Sequence, residues 1–392
     1  MFLFLHPNIW KLYTLQALRW MLLIMPVIIP FFQENGLDMQ QILFLQAAFS
    51  TVIIVFEVPS GYVADVIGRK FTLVLGSAFG AVGFCFYAYA HTFTEFLLVE
   101  MLLGIGGSLI SGADTALLYD TLFELQQDEH FKKYAGRLGS VANFSEGFAA
   151  IIGGELALIS LRTPLYVEAV LAILCVPVAL TLTEPSRHKL ETQESSFKNI
   201  WRIVHYTLHG HAEIKWLVLY SSLVGLSTFT IVWFVQPYLQ AADLPLRYFG
   251  LSWAVLQFSV GFFALIAYRV EHLLGRKKSL ISLILLSSSA YLLLSQFQTL
   301  WAVPIIFIFY LVRGINGPVL NDYINRLVTS DIRATVLSVK NLIGRLMFVI
   351  LGPILGWVND TYSLGTAFFI AGLTFLFTGI LSLYCLHRNK VL

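Results

Sequence analysis

The chain has 392 residues, 57% of them hydrophobic and only 12% charged, with a net charge of +2. A soluble protein carries roughly 25% charged residues, so this composition excludes a soluble globular domain, and the small charge gives no footing for nucleic acid. Mean hydropathy is +0.76, and the apolar runs are continuous rather than alternating. They are long enough to cross about 30 Å of hydrocarbon, which implies helical membrane spans and argues against a β-barrel.

Twelve helices are read in chain order, at about 10–32, 39–62, 71–90, 95–120, 136–160, 164–183, 213–239, 246–268, 279–296, 300–325, 334–357 and 364–386. The first run has no small-residue cleavage site and continues into a full span, so no signal peptide is expected. Cys85, Cys175 and Cys385 each lie alone in an apolar run and read as small apolar fillers. The polar stretch around 184–212 parts six spans from six. The expected domains are therefore an N-terminal six-helix bundle (1–183), a cytoplasmic linker (184–212) and a C-terminal six-helix bundle (213–392). In the linker, "HYTLHGH" crowds His205, His209 and His211 together. An amphipathic helix on the membrane surface is the preferred reading there, and no metal site is expected.

Orientation follows from Lys and Arg. With both termini in the cytoplasm, about 19 of the 25 lie in cytoplasmic segments, only Arg162 and Arg247 fall outside, and Arg19, Arg313, Lys340 and Arg345 lie within spans. The expected location is a cell membrane, multi-pass, of the bacterial inner-membrane kind.

The halves resemble each other. "GYVADVIGRK" (61–70) has a counterpart in "YRVEHLLGRK" (268–277), with His272 where Asp65 stands. "SVANF" (140–144) is echoed by "SVKNL" (338–342), and "LLGIGG" (102–107) by "LVRGING" (311–317). Two similar six-helix halves are the architecture of a rocking transporter.

Gly61, Asp65, Gly68, Arg69 and Lys70 form the pattern G-x-x-x-D-x-x-G-R-K between spans two and three. Through these residues the chain resembles the major facilitator superfamily of secondary transporters, in its drug and metabolite exporter branch. The resemblance implies an all-α membrane fold of twelve helices in two pseudo-symmetric six-helix bundles. It also implies a gating latch: Asp65 facing the start of span eleven near Arg333 and Ala334, and Arg69 pairing with a carboxylate at the end of span four, where Asp120 is well placed. The chain departs from the exporter pattern in two places. Glu100 stands where exporters carry an arginine in span four, and "AAIIGG" (149–154) keeps Gly153 and Gly154 without the preceding Gly-Pro.

An ionisable side chain at bilayer depth costs at least about 2.5–3.5 kcal/mol, so it usually faces a cavity or a partner. Helical rise places Glu146 about 15 Å into span five, Arg313 about 18 Å into span ten and Arg345 about 16 Å into span eleven. Arg19 lies nearer the cytoplasm, and Lys340 nearer still. The surplus of cations favours a substrate with an acidic group, because a guanidinium fork suits a carboxylate or phosphate. Alternatively, the arginines are paired with Glu57, Glu100, Asp114 or backbone carbonyls. The expected substrate-binding residues are Arg19, Arg313, Arg345 and Lys340, with Trp233 and Gln236 from the polar, aromatic span seven. The expected proton-coupling carboxylates are Glu146, then Glu100 and Asp114. Glu168, in lipid-facing span six, is an isolated exception.

The expected function is proton-coupled transport of a small amphipathic substrate with acidic character, a carboxylate or siderophore-like molecule, with export favoured. Alternatives are a multidrug/proton antiporter for cationic or neutral compounds, an organic-anion uptake symporter, and a lipid flippase. No clustered nucleophile–base or metal set is seen, so no enzyme is expected. The expected partners are the substrate, protons and the lipid bilayer; the expected state is monomeric, with a proton gradient and no cofactor.

Overall fold

In hydrocarbon there is no water to satisfy backbone N–H and C=O groups, so a chain this apolar must close them within helices. The computed structural model describes residues 7–185, 205–328 and 332–389, and the regular structure among them is entirely helical. The helices are α1 (Pro7–Arg19), α2 (Ile28–Glu34), α3 (Met39–Val66), α4 (Arg69–Tyr87), α5 (Phe93–Ile110), α6 (Ala113–Glu124), α7 (Phe131–Ala157), α8 (Thr163–Leu180), α9 (Ala212–Ala241), α10 (Phe249–Gln296), α11 (Ile306–Leu327), α12 (Arg333–Thr361) and α13 (Leu364–Arg388).

Among the described residues nine helical segments are long and apolar enough to cross a membrane, against the twelve expected. The difference has local causes. The first expected span is broken: α1 stops at Arg19, and a short 3₁₀ turn with Pro26 in its first positions precedes α2. The fifth lies in α7, whose sequence holds Lys132, Lys133, Arg137 and Glu146. The eighth and ninth run together in α10 across a kink at Gly275. The fourth is parted at Ser111 and Gly112 into α5 and α6 but still counts as one span, Phe93–Glu124. Most of the linker expected at 184–212 lies outside the described residues. His205 and His209 stack at 4.8 Å between ring centroids, and no group of three potential metal ligands occurs among the described residues.

The repeated Gly-Arg-Lys marks a repeated backbone feature. Gly68 (φ 148°) precedes α4 and Gly275 (φ 72°) kinks α10. Both are at positive φ, which glycine adopts without steric penalty. Carboxylates satisfy the N–H groups that helix starts leave open. Glu184 accepts from Arg69 N (3.0 Å) and Lys70 N (2.7 Å) at the start of α4. Asp360 accepts from Met39 N (3.2 Å) and Gln40 N (2.7 Å) at the start of α3. Thr92 and Glu95 form a reciprocal capping box on α5.

The chain divides into two compact units. The first comprises Met1–Gly36, Ala48–Gln193 and Leu246–Val255, and the second Leu37–Ala47, Glu194–Pro245 and Leu256–Leu392. In the first, Leu12, Leu73, Leu117, Leu118 and Leu122 pack a core that excludes water. In the second, α9 is the central helix: 83% of its span is buried, against 28–50% for the other candidate spans. Tyr291 stacks there on Phe375 and meets Phe309 and Phe368 edge-on.

Candidate functional site

In the second unit, three helices turn polar faces onto one cavity of about 410 Å³. From α9 come Ser221, Ser222, Gly225, Thr228 and Phe229, spaced three or four apart as one stripe. From α11 come Arg313 and Asn316, one turn apart, and from α12 Lys340, Asn341, Gly344 and Arg345. The two arginines expected near the midplane of this half, and the lysine expected nearer the cytoplasm, thus line one space. No Asp or Glu is among the residues that line it.

Lys340 Nζ donates to Asn321 Oδ1 at 2.8 Å, a neutral partner that leaves its charge uncompensated. Ser222 Oγ donates to the Lys340 carbonyl at 2.8 Å, tying α9 to α12 beside the cavity. Ser221 Oγ and Asn316 Oδ1 are buried with no hydrogen-bond partner among the described residues. Gly225 and Gly344 keep the walls back: a Cβ on either would lie at ordinary contact distance, 3.8 Å from Asn316 Nδ2 and 3.9 Å from the Ser222 carbonyl respectively. The arrangement can hold an anion on a guanidinium fork with neutral polar groups beside it.

Two expected binding residues do not join this cavity. Trp233 and Gln236 are buried and do not line it: they continue the same face of α9 four and seven residues beyond Phe229, about one and two turns further along the helix axis. Arg19 lies in the other unit, where its guanidinium sits 3.9 Å from Asp114. That pairing gives Arg19 an acid partner within its own unit.

The expected proton-coupling carboxylates are each engaged differently. Glu146 is buried on a stripe of α7 formed by Leu138, Ala142, Ala149, Ala150 and Gly153. These small neighbours let an indole approach, and Trp253 Nε1 donates to Glu146 Oε1 at 3.3 Å. Glu100 is buried and accepts from Tyr87 OH at 3.0 Å, within a group of rings that includes Phe31, Phe32 and Phe96. Asp114, in the first turn of α6, also accepts from Thr115 N at 2.6 Å.

In the expected latch, Arg69 pairs with Asp120 and donates to the Ala116 carbonyl. Gly61 and Asp65 lie exposed near the end of α3, and Gly68 makes the turn into α4. In the second copy, Arg276 stacks over the Tyr323 ring at 4.8 Å, and Tyr323 donates to Glu271 at 2.6 Å. Asp120→Asn is expected to lower stability by about 1–2 kcal/mol, because the pair is four-fifths buried and its hydrogen bonds are charge-assisted. A melting curve of the purified protein checks this; restoration by the swap Arg69→Asp with Asp120→Arg separates the pair from either residue alone.

The family model described as Major Facilitator Superfamily matches residues 10–352. The chain belongs to the Major Facilitator Superfamily. It is accordingly a multi-pass membrane transporter and not an enzyme. It is 25% identical over 160 residues to the quinolone resistance protein NorA of Staphylococcus aureus (strain Mu50 / ATCC 700699), a match that spans 41% of this chain and 40% of NorA. It is 21% identical over 381 residues to the uncharacterized MFS-type transporter YxaM of Bacillus subtilis (strain 168), covering 94% of each. A crystal structure of the nucleoside transporter NupG superposes with a TM-score of 0.78 at 16% identity, covering 98% of this chain and 99% of that one, a likeness of fold.

Several residues of this superfamily member's sites are not marked in the sequence. Asn316, Ser222 and Asn341 are common helix-packing residues, and only the helical register around Arg313 and Arg345 hints at them. Trp253 could not be paired with Glu146 from a separation of 107 residues. Glu168, expected on a lipid-facing helix, is instead 3% exposed and turned inward: its Oε2 accepts from Ile24 N at 3.0 Å, at the break between α1 and α2. The freed backbone N–H of a broken helix needs such an acceptor in lipid.

Proposed function

We propose that this transporter is a proton-coupled secondary carrier of a small amphipathic organic molecule bearing an acidic group, working by alternating access, with export favoured. The observation that carries this reading is the convergence of Arg313, Lys340 and Arg345 on one cavity with no acidic side chain in its lining. A cavity of about 410 Å³ is within the range that takes a drug-sized organic molecule. The apolar walls from Leu226 and Phe229 suit the body of such a molecule, and the cations its acid.

In this reading the membrane topology is twelve spans, obtained by counting α1 with α2 as one, α5 with α6 as one, α7 as one, and α10 as two. Both termini are cytoplasmic, in a bacterial inner membrane, and the loop holding Asp65, Arg69 and Asp120 works as the cytoplasmic gate of a monomer. Glu146 is the coupling carboxylate. It is buried against an indole N–H, and burial disfavours a bare carboxylate, so a change of exposure during the cycle takes up or releases a proton.

Purified protein in proteoliposomes with an imposed pH gradient tests the scheme. Aromatic carboxylates are expected to accumulate against their gradient and their amides are not. Glu146→Gln is expected to abolish gradient-driven accumulation while sparing exchange of labelled for unlabelled substrate. Accumulation that survives the substitution removes Glu146 from the scheme.

A second reading, a multidrug/proton antiporter for cationic or neutral compounds, is supported by the partial likeness to NorA and by the buried Glu100 and Glu146. Accumulation of cations and not of carboxylates in the same assay would select it.

A further inference from the structure

The first unit holds a second cavity, of about 250 Å³, walled by α1, α3, α4, α5 and α8. Its surface is mostly apolar, with Leu15, Phe49, Phe84 and Leu103 among its walls and glycines of α4 and α5 opening the space. An apolar cavity of about 150 Å³ accommodates one benzene ring, so this one is large enough for a fused two-ring body.

Polar atoms interrupt these walls. Glu168 is 3% exposed; its Oε2 is taken by Ile24 N, but its Oε1 is buried with no partner among the described residues. Ser77, also 3% exposed, has its Oγ buried without a partner, as does the Trp20 indole N–H. All three residues line the cavity. Trp20 stands in the non-helical stretch between Arg19 and the 3₁₀ turn at Met25. Irregular backbone at membrane depth is tolerated where it is covered by protein or lines a cavity, and broken helices are where transporters place ligand sites.

The lining has a definite polarity. Arg19 also lines the cavity, but its guanidinium is 3.9 Å from Asp114, so a positive charge there is already answered. The lining groups still lacking a partner are an acceptor, the open oxygen of Glu168, a donor, the Trp20 N–H, and the Ser77 hydroxyl, which can act as either; Glu168 is the one acid among the lining residues. An acid would meet that oxygen unfavourably; an N–H would satisfy it.

We propose that this cavity is a binding site for a small apolar amine, whose N–H groups are received by Glu168 while its ring body fills the space between α1, α4 and α5. The site is distinct from the cationic cavity of the second unit and does not depend on the acidic-substrate reading.

Three probes of one shape test it: 1-naphthylmethylamine, the neutral 1-naphthylmethanol, and 1-naphthoate, titrated calorimetrically into the full chain in lipid nanodiscs. Two variants serve. Glu168→Gln keeps an oxygen for Ile24 N and replaces the open carboxyl oxygen with an amide N–H donor. Gly80→Leu fills the cavity, because a Cβ on Gly80 has no atom within 4 Å, and it corrects for partition into lipid. The amine is expected to bind at least about tenfold more tightly than the alcohol, and the acid not at all. Glu168→Gln is expected to erase that preference with the alcohol unchanged, and Gly80→Leu to remove saturable binding of both. Equal affinity for amine and alcohol, an amine preference that survives Glu168→Gln, or unchanged binding to Gly80→Leu would each overturn the proposal.

Discussion

Gly153→Ala is expected to be the most damaging single methyl in the first unit. A Cβ at Gly153 would lie 1.9 Å from the Leu23 carbonyl oxygen and 2.7 Å from its carbon. Those are backbone atoms of the break between α1 and α2, so no side chain can rotate out of the way. The break itself is held by Glu168 through Ile24 N, so moving Leu23 would strain that bond as well. Overpacking of this kind costs typically 1–3 kcal/mol, and with backbone on both sides about 3 kcal/mol is expected here. Gly154 is the adjacent contact: its Cβ would meet Gly250 Cα at 2.8 Å. The measurement is thermal unfolding of the purified protein, with Gly80→Ala as control. That control substitutes into open space within α4 and is expected to be neutral or stabilising by up to about 1 kcal/mol. If Gly153→Ala melts with the wild type, the close approach of α7 to Leu23 does not exist.

Arg313→Gln is expected to weaken binding of aromatic carboxylates to the second-unit cavity by about 30-fold or more. A bidentate guanidinium–carboxylate contact is charge-assisted, and such hydrogen bonds contribute about 1.5–3 kcal/mol each, with every 1.4 kcal/mol a factor of ten. Arg345→Gln is expected to act in the same direction, because both side chains line the same space. Arg313→Lys is expected to fall between, since lysine keeps the charge and loses the planar fork. Cationic probes should be insensitive to all three substitutions, or gain slightly as positive charge is removed. Titration of anionic, neutral and cationic members of one ligand series against each variant provides the check. If carboxylates bind the glutamine variants as they bind the wild type, the acidic-substrate reading fails.

These two expectations draw on different amounts of sequence information. The candidate residues of the second cavity were legible because a charge in a long apolar run is conspicuous, and Arg313, Lys340 and Arg345 each interrupt one. The neutral lining was not legible: Ser222 and Asn341 resemble any polar residue packed between helices, and only register selects them. The pairing of Arg19 with Asp114 was one of the alternatives open in the sequence, and the fold of α1 against α6 selects it. The breaks in the first and fourth spans each carry a breaker, Pro26 in one and Gly112 (φ 84°) in the other, but the apolar run continues across both and masks them. Gly153 was visible as half of a Gly-Gly pair, but its partner, the Leu23 carbonyl, is backbone and carries no mark in the sequence.

What the sequence determined by itself is the class of the molecule. Lipid forces every backbone polar group into a helix and penalises stray charge, so hydropathy together with the Gly-Arg-Lys motif pointed to a helical membrane transporter. What only the tertiary structure decided is which charges meet. That depends on the rotation of each helix about its axis and on where helices break, and both are set by side-chain packing between segments distant in sequence. Glu168 shows the difference: a glutamate in a helix expected to face lipid became, through the broken first span, the acid of an enclosed cavity.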